Sequence, residues 1–224
     1  MSFRRYTIPL LAVGLFILAG SASAFFGLRA GIGQFVPEDS TFKESYANAY
    51  SFDVRYHISE PLFVSGAAKF YNVHAATVPI AMVGDPGPDI EIGAYKHRLD
   101  AVMASAGIGI GKLLGKGGIG FYPYACLTAG VISPVVSQQV EYYACGDTIG
   151  TLYAPERERR WAVLANPYAG LEIRFLGIGV FAQADYIYGN NVTYDPVKME
   201  GVEIFPGGEL APSGWAVYVG IVLD

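Results

Sequence analysis

Apolar and polar residues alternate without an error between Tyr50 and Ile58. Every even position in this stretch is apolar or aromatic, whereas Asp53, Arg55 and His57 share the opposite face. A period of two predicts a β-strand with one apolar face and one hydrated face. Charged side chains do not line a hydrocarbon core unless they pair with one another. The apolar face therefore belongs either in a soluble core or against lipid.

The same alternation continues along the chain and predicts an all-β protein. The predicted strands have 9 to 16 residues, which is enough for the 9–11 or so that a tilted membrane strand needs. Apolar residues that are dispersed by alternation, with no second long apolar run, are typical of transmembrane β-barrels. The eight predicted strands cover residues 26–35, 50–58, 62–71, 95–110, 119–131, 161–174, 180–188 and 215–223.

The connections between these strands are alternately short and long. Short links lie near Ser59, Gly115 and Gly177. Short turns on one rim and long loops on the other are the layout of bacterial outer-membrane barrels, and a soluble lipocalin-type barrel does not require this asymmetry. The apolar run 78–83 would then extend a strand beyond the membrane or cover a pocket. The long links are residues 37–49, 74–94, 133–160 and 189–213.

Aromatic residues on the apolar face are predicted to lie at one common height. Most of them begin strands that follow a long link, and the others end strands that run toward a long link. Because amphipathic rings favour the interface between headgroups and acyl chains, this arrangement predicts an aromatic girdle. The predicted girdle consists of Tyr50, Phe70, Tyr95, Trp161, Tyr188 and Trp215.

The polar face of the strands carries charges of both signs, which predicts a network of ion pairs inside the barrel. A barrel of about eight strands has an interior that side chains can fill, so a wide pore is not expected. The four long links carry 14 acidic and 5 basic residues. The predicted network consists of Arg29, Asp53, Arg55, His57, Lys69, Lys96, Arg98, Asp100, Glu172, Arg174 and Asp185, with the amides of Asn166 and Gln183.

Residues 1–24 have the features of a cleaved secretory signal peptide: a short basic start, an apolar centre and a small-residue cleavage site. Residues 25–224 would then form one barrel domain. The formal charge of the whole chain is −5, which disfavours nucleic acid as a partner. An exported chain meets an oxidising compartment, in which a disulfide between Cys126 and Cys145 could form.

Motifs for catalysis or for cofactor binding are not found in the sequence. The glycine-rich stretch 107–116 lacks the glycine spacing of a phosphate-binding loop and joins two predicted strands. His57, His74 and His97 have no metal-ligand spacing. No nucleophile and base are placed together. We therefore expect no enzyme activity, no metal and no cofactor.

A repeated Pro-Tyr-Ala-x-Leu motif, at residues 123–127 and 167–171, resembles Pro-Tyr-x-Gly segments of small outer-membrane barrels. This porin-like family includes the OmpA membrane domain, OmpX, OmpW and the opacity-type proteins. The resemblance implies a closed antiparallel up-and-down barrel, usually monomeric, that contacts outer-membrane lipid, lipopolysaccharide and the barrel-assembly machinery. If paired residue numbers sum to 292 on these strands, Tyr124 lies opposite Tyr168. Pro123 and Pro167 would distort the ladder, because proline has no backbone N–H.

The sequence therefore predicts a porin-family protein of a Gram-negative outer membrane, with a role in envelope structure or in surface contact. Two other functions are compatible with the sequence. The first is a carrier that passes small or hydrophobic compounds through a narrow lumen, as the similarity to OmpW implies. The second is a periplasmic lipocalin-like binder, which would be soluble without detergent.

Overall fold

The computed structural model describes residues 26–38, 47–82, 90–115, 119–144, 147–154, 160–199, 202–205 and 207–223. The predicted signal peptide, residues 1–24, lies outside this part of the chain. Within the described ranges no helix is both long and apolar enough to cross a membrane. The strands are β1 Phe26–Pro37, β2 Ala47–Ser59, β3 Leu62–Met82, β4 Ile90–Gly111, β5 Ile119–Ala144, β6 Asp147–Tyr153, β7 Ala162–Phe175, β8 Ile178–Gly189, β9 Val192–Tyr194, β10 Val197–Met199, β11 Val202–Phe205, β12 Gly208–Leu210 and β13 Gly214–Leu223.

Eight of these strands form a ring of antiparallel pairs. The order is β4, β3, β2, β1, β13, β8, β7 and β5, and β5 pairs again with β4. The pairing of β4 with β5 is continuous from Gly93 opposite Tyr142 to Gly111 opposite Tyr124. A ring removes the sheet edges that would otherwise expose unpaired backbone groups. The prediction of an all-β, up-and-down barrel of eight strands is confirmed.

Side chains on the barrel strands alternate between the interior and the outer surface. On the outside, Phe52, Trp161 and Val217 are 37%, 60% and 56% exposed. On the inside, Arg55 and Asp185 are 1% and 0% exposed. Because the apolar residues face outward and the charged residues face inward, the barrel has the inverse of the polarity expected for a soluble protein.

One end of the barrel carries the short turns, and we call it the turn end. A two-residue turn of Leu176 and Gly177, with φ values of 49° and 83°, joins β7 to β8. Positive φ at both central residues is the geometry of a type I′ hairpin turn, which matches the twist of the flanking strands. The opposite end, where the long connections lie, is the loop end.

Two of the long links that were predicted as loops consist largely of strands. β3 continues to Met82, β4 begins at Ile90, and β5 continues to Ala144. We call the four-stranded sheet beyond the barrel the extension: residues 74–82, 90–100 and 133–144, together with β6. The last pair between β2 and β3 is Ala47 with Val73, so β3 runs nine residues further, roughly 30 Å at the rise of a strand.

The interior changes from polar to apolar between the turn end and the loop end. Buried apolar side chains fill the loop-end part, and they include Met103, Ile132 and Leu164. The short sheet formed by β9 and β12, which we call the lid, adds Val192 and Leu210 to this cluster. The loop-end part of the interior is therefore packed with hydrocarbon.

The ladder between β7 and β8 is interrupted at Pro167, as the sequence predicted. Pairing passes from Ala165 opposite Tyr188 to Tyr168 opposite Asp185. The side-chain amide of Asn166 donates a hydrogen bond of 3.1 Å to the backbone carbonyl of Tyr186. Because proline has no N–H to give to the neighbouring strand, this side chain supplies a donor at the interruption.

Candidate functional site

Glu172 is the centre of the buried charged layer. Its Oε1 lies 3.2 Å from Nε of Arg29 and 2.7 Å from Nη1 of Arg55. Its Oε2 accepts a hydrogen bond of 2.8 Å from Nε of Arg174. The three arginines come from β1, β2 and β7, so this carboxylate ties distant walls of the barrel together. Pairing on this scale offsets the high cost of burying the charges.

A second part of the charged layer is built around Lys69. Its ammonium forms an ion pair with Asp185 and donates a hydrogen bond of 2.7 Å to Oδ1 of Asn166. Gln183 donates a hydrogen bond of 2.6 Å to Oδ1 of Asp185 and accepts one of 2.8 Å from Arg29. Gln183 therefore connects the Lys69 part of the layer to the Glu172 part.

Asp53 is held by the surrounding positive charge. Its Oδ2 lies 3.6 Å from Nη1 of Arg29, and the side chains of both residues are fully buried. Within the described residues neither oxygen of Asp53 accepts a hydrogen bond. Asp53 is therefore attracted to Arg29 through its charge, and in a buried site such attraction is strong.

Aromatic rings cover the guanidinium groups of the layer. The Arg29 guanidinium lies 3.8 Å from the centroid of Phe181, and that of Arg55 lies 3.8 Å from the centroid of Tyr124. Tyr124 also donates a hydrogen bond of 2.9 Å to Gln183. The sequence predicted that Arg29 and Arg55 face inward, but it gave no signal for this stacking, because stacking depends on the order of strands around the ring.

Two members of the predicted network lie nearer the turn end. The ring of His57 is 5.8 Å from the centroid of Phe63 and 5.8 Å from that of Tyr122. The guanidinium of Arg174 lies 4.3 Å from the centroid of Tyr122 and is partly exposed. His57 thus belongs to an aromatic cluster below the charged layer, whereas Arg174 joins this cluster to Glu172.

Three predicted members of the network do not lie inside the barrel. Arg98 and Asp100 form an exposed pair, 3.1 Å apart, with side chains that are 51% and 42% exposed. Lys96 pairs with Glu141, and its side chain is 39% exposed. The inward face of β4 carries Leu99, Ala101 and Met103 instead. The facing predicted for this strand was therefore wrong.

The facing predicted for β4 was wrong because Lys96, Arg98 and Asp100 lie on the extension, where the outer face of β4 is solvated. The hydrogen bond that Lys96 donates to Glu141 is the main cause that raises the pKa of Lys96. The same bond lowers the pKa of Glu141. Both groups are therefore stabilised in their charged forms by a surface contact, and they have no connection to the buried layer.

The predicted register of the two Pro-Tyr-Ala motifs was also wrong. Tyr168 lies opposite Cys126, and Tyr124 lies opposite Gly170, so the paired numbers sum to 294. The rings of Tyr124 and Tyr168 still meet edge to face, with their centroids 6.2 Å apart. The hydroxyl of Tyr168 donates a hydrogen bond of 2.9 Å to Ser65 on the opposite wall.

Cys126 is a free, buried thiol, which argues against the disulfide with Cys145 that the sequence left possible. Ala144 ends the same strand 18 residues after Cys126, roughly 60 Å along β5. A disulfide requires Cα atoms within about 7 Å of each other. Cys145 itself lies outside the described residues.

Most of the predicted girdle residues lie on the outer surface. Tyr50, Trp161, Tyr188 and Trp215 are 45%, 60%, 62% and 55% exposed, and Phe70 pairs with Tyr50 across β2 and β3. The side chain of Tyr95 lies outside the described part of the structure. In that part, no three His, Cys, Asp or Glu side chains are grouped so that they could hold a metal ion.

The extension ends in an edge strand. Among the described strands, β6 pairs with β5 alone. Its sequence, Asp-Thr-Ile-Gly-Thr-Leu-Tyr, contains neither lysine nor proline, the residues with which proteins commonly protect sheet edges. Ile149 and Tyr153 on this strand are 69% and 68% exposed. Within the described ranges, no strand pairs with the outer backbone edge of β6.

Comparisons with known proteins find similar structures but no similar sequences. No family model and no curated protein sequence match the chain. The N-terminal β-barrel domain of Pseudomonas aeruginosa OprF is 14% identical, with 88% of this chain and 96% of that domain covered and a TM-score of 0.38. Ail, the attachment invasion locus protein of Yersinia pestis, is 11% identical, with 89% and 97% covered and a TM-score of 0.37. The barrel fold itself rests on the continuous strand pairing of this chain.

Proposed function

We propose that this protein is an outer-membrane β-barrel that holds a protruding sheet at the cell surface, where the sheet takes part in surface contact. The observation that carries the membrane location is the polarity of the barrel. A belt of exposed apolar side chains surrounds an interior that holds Arg29, Lys69 and Glu172. Water would solvate the outer apolar belt poorly, whereas the acyl chains of a bilayer suit it.

The packed interior argues against transport through the resting barrel. Side chains from opposite walls bridge the charged layer, and hydrocarbon fills the loop-end part under the lid. We do not expect a continuous aqueous path through an interior that the described side chains fill in this way. We therefore favour a structural and surface-contact role over a narrow-lumen carrier.

The open edge of β6 supports surface contact. An edge strand offers a row of backbone donors and acceptors, and an extended segment of another protein can add to it as a further strand. The extension carries this edge roughly 30 Å beyond the barrel. The charged layer fixes the barrel walls, so the extension stands on a rigid base.

The membrane location is tested by fractionating the cell envelope and comparing the gel mobility of heated and unheated samples. We expect the protein to remain with the outer-membrane pellet and to change mobility on heating. A protein that stays in solution without detergent after export would favour the lipocalin-like binder. Steady single-channel steps in planar bilayers would favour the carrier.

Surface contact is tested with a synthetic peptide of residues 139–144, the segment of β5 that pairs with β6. We expect the labelled peptide to bind the folded protein, as measured by fluorescence anisotropy, and the double variant Ile149→Lys with Tyr153→Lys to lose this binding. The control is Leu176→Lys, which places one lysine at an 80% exposed apolar position at the turn end. Equal binding by the control and the double variant would contradict a role for the edge.

A further inference from the structure

The outer surface of the barrel carries a broadly open apolar groove. It spans β4, β5, β7, β8 and β13 and has a volume of about 610 Å³. Its floor is formed by Ala125, Ala169 and Ala184, and Leu127 and Trp215 rise beside the floor. The groove therefore combines a shallow floor of methyl groups with walls of large apolar side chains.

The strand register creates this shape. Ala125 lies opposite Ala169, and Ala169 lies opposite Ala184, so the three alanines form one row across three neighbouring strands. In the next row toward the loop end, Leu127 lies opposite Pro167. Small side chains in one row and large ones in the next row leave a depression between them.

The backbone beside the floor is held in place. At the interruption of the ladder between β7 and β8, Asn166 donates to the carbonyl of Tyr186. Asn166 is itself fixed by Lys69 from inside the barrel. The groove is therefore preformed, which lowers the entropy cost of filling it.

The loop-end rim of the groove carries a carboxylate. Tyr186 and Trp215 contact each other with their ring centroids 4.9 Å apart. The Tyr186 hydroxyl donates a hydrogen bond of 3.0 Å to Oε2 of the exposed Glu38. Amphipathic rings of this kind lie at the level of lipid headgroups. A negative charge at that level attracts a positively charged headgroup.

We propose that the groove holds an acyl chain of a phospholipid with a primary ammonium headgroup, and that the ammonium pairs with Glu38. This proposal rests on the membrane location proposed above. The apolar lining fits a hydrocarbon chain, and the charge of the rim complements an ammonium group. A protein partner fits less well, because twelve residues line the groove whereas stable protein interfaces use about 20–30 residues on each side.

The proposal is tested by native mass spectrometry of the folded protein in detergent with added phosphatidylethanolamine, phosphatidylglycerol or lipopolysaccharide. We expect one retained phosphatidylethanolamine molecule and about tenfold less retention of phosphatidylglycerol. Ala169→Leu and Ala184→Leu fill the floor, and each is expected to abolish this preference. Glu38→Gln should make the retention of phosphatidylethanolamine equal to that of phosphatidylglycerol, while the groove still holds an acyl chain.

The matched control is Ala104→Leu, because Ala104 is an exposed alanine of β4 that does not line the groove. It should retain phosphatidylethanolamine as the unmodified protein does. Unchanged retention in both floor variants, equal retention of the two phospholipids by the unmodified protein, or preferential retention of lipopolysaccharide would overturn the proposal. A dimer that the unmodified protein forms and the Ala169→Leu variant does not would also overturn the proposal. Heat-dependent gel mobility is measured for every variant, so a failure of membrane insertion is distinguished from a failure of lipid binding.

Discussion

The two parts of the barrel interior are built by the same strands but are stabilised in different ways. Toward the turn end, Arg29, Arg55 and Glu172 bridge opposite walls by ion pairs. Toward the loop end, Met103 and Leu164 are packed among other apolar side chains. Strand alternation is identical in the two parts. The comparison shows that alternation determines which residues face inward, whereas height along the barrel determines what kind of residue is needed.

The two parts also have different weaknesses. In the charged part each group depends on particular partners, so that removing one partner leaves a buried charge uncompensated. In the apolar part each side chain has several equivalent neighbours, and its loss leaves a cavity. Substitutions in the two parts should therefore differ in size and in their dependence on position.

The largest effect is expected for Glu172→Gln. The substitution leaves Arg29, Arg55 and Arg174 without their shared carboxylate, and the free energy of unfolding should fall by about 3–5 kcal/mol. Urea unfolding in lipid vesicles, followed by tryptophan fluorescence, measures this change. The control is Asp147→Asn, an exposed carboxylate, for which we expect no comparable loss. A change below about 1 kcal/mol for Glu172→Gln would show that the charged part is not stabilised by this centre.

A somewhat smaller effect is expected for Leu164→Ala. This side chain is 3% exposed, and its truncation should cost about 2–4 kcal/mol through lost burial and cavity formation. The neighbouring Val163 is 64% exposed on the outer face, so Val163→Ala is the matched control in the same unfolding measurement. Equal losses for the two variants would mean that the loop-end interior is not packed as described.

A small, local effect is expected for Arg160→Ala. Arg160 donates hydrogen bonds of 2.8 Å and 2.9 Å to the backbone carbonyl and hydroxyl of Thr193 and pairs with Asp195, which fixes the lid. Global stability should change by about 0.2–1 kcal/mol, because the pair is largely exposed. Amide hydrogen exchange in β9 and β12 should become faster, while exchange in β7 should stay the same. Unchanged exchange in the lid would contradict its attachment through Arg160.

The smallest effect is expected from the pair of Lys96 and Glu141 on the extension. The pKa of Glu141 is lowered by its bond to Lys96, so this contribution to stability is present above the unfolded-state pKa and is lost as the pH falls through the folded-state value. The pKa of Lys96 is raised, so its contribution is lost only as the pH rises through the folded-state value. NMR titration of Glu141 in Lys96→Met should show the carboxyl pKa returning toward its ordinary value. Barrel stability should not respond.

The sequence predicted the ring and the facing of most barrel strands, because charged residues appear on only one face of β2, β7 and β8. It failed for β4. On that strand both faces are apolar near the barrel, and the charges Arg98 and Asp100 lie beyond it. Alternation separates the two faces of a strand, but it does not reveal the height at which the surroundings change from hydrocarbon to water.

The features that the sequence did not predict are the strand register, the extension and the stacking inside the barrel, and they depend on positions along or around the barrel. Similar motifs at residues 123–127 and 167–171 do not fix the register between their strands, and the observed offset differs by two from the expected one. The strands continue through two predicted loops because pairing in the extension favours strands where the sequence shows only weak alternation. The stacking of Arg29 on Phe181 joins β1 to β8 and requires the complete ring.

Asn166 links the interrupted ladder between β7 and β8 to β3 on the opposite wall of the barrel. One end of its amide group closes the interruption at Pro167, and the other end accepts a hydrogen bond from Lys69 on β3. A force that pulls β7 away from β8 would therefore also act on the hydrogen bond between Lys69 and Asn166. We expect the contact between β7 and β8 and the contact between β7 and β3 to be lost together, in one cooperative step.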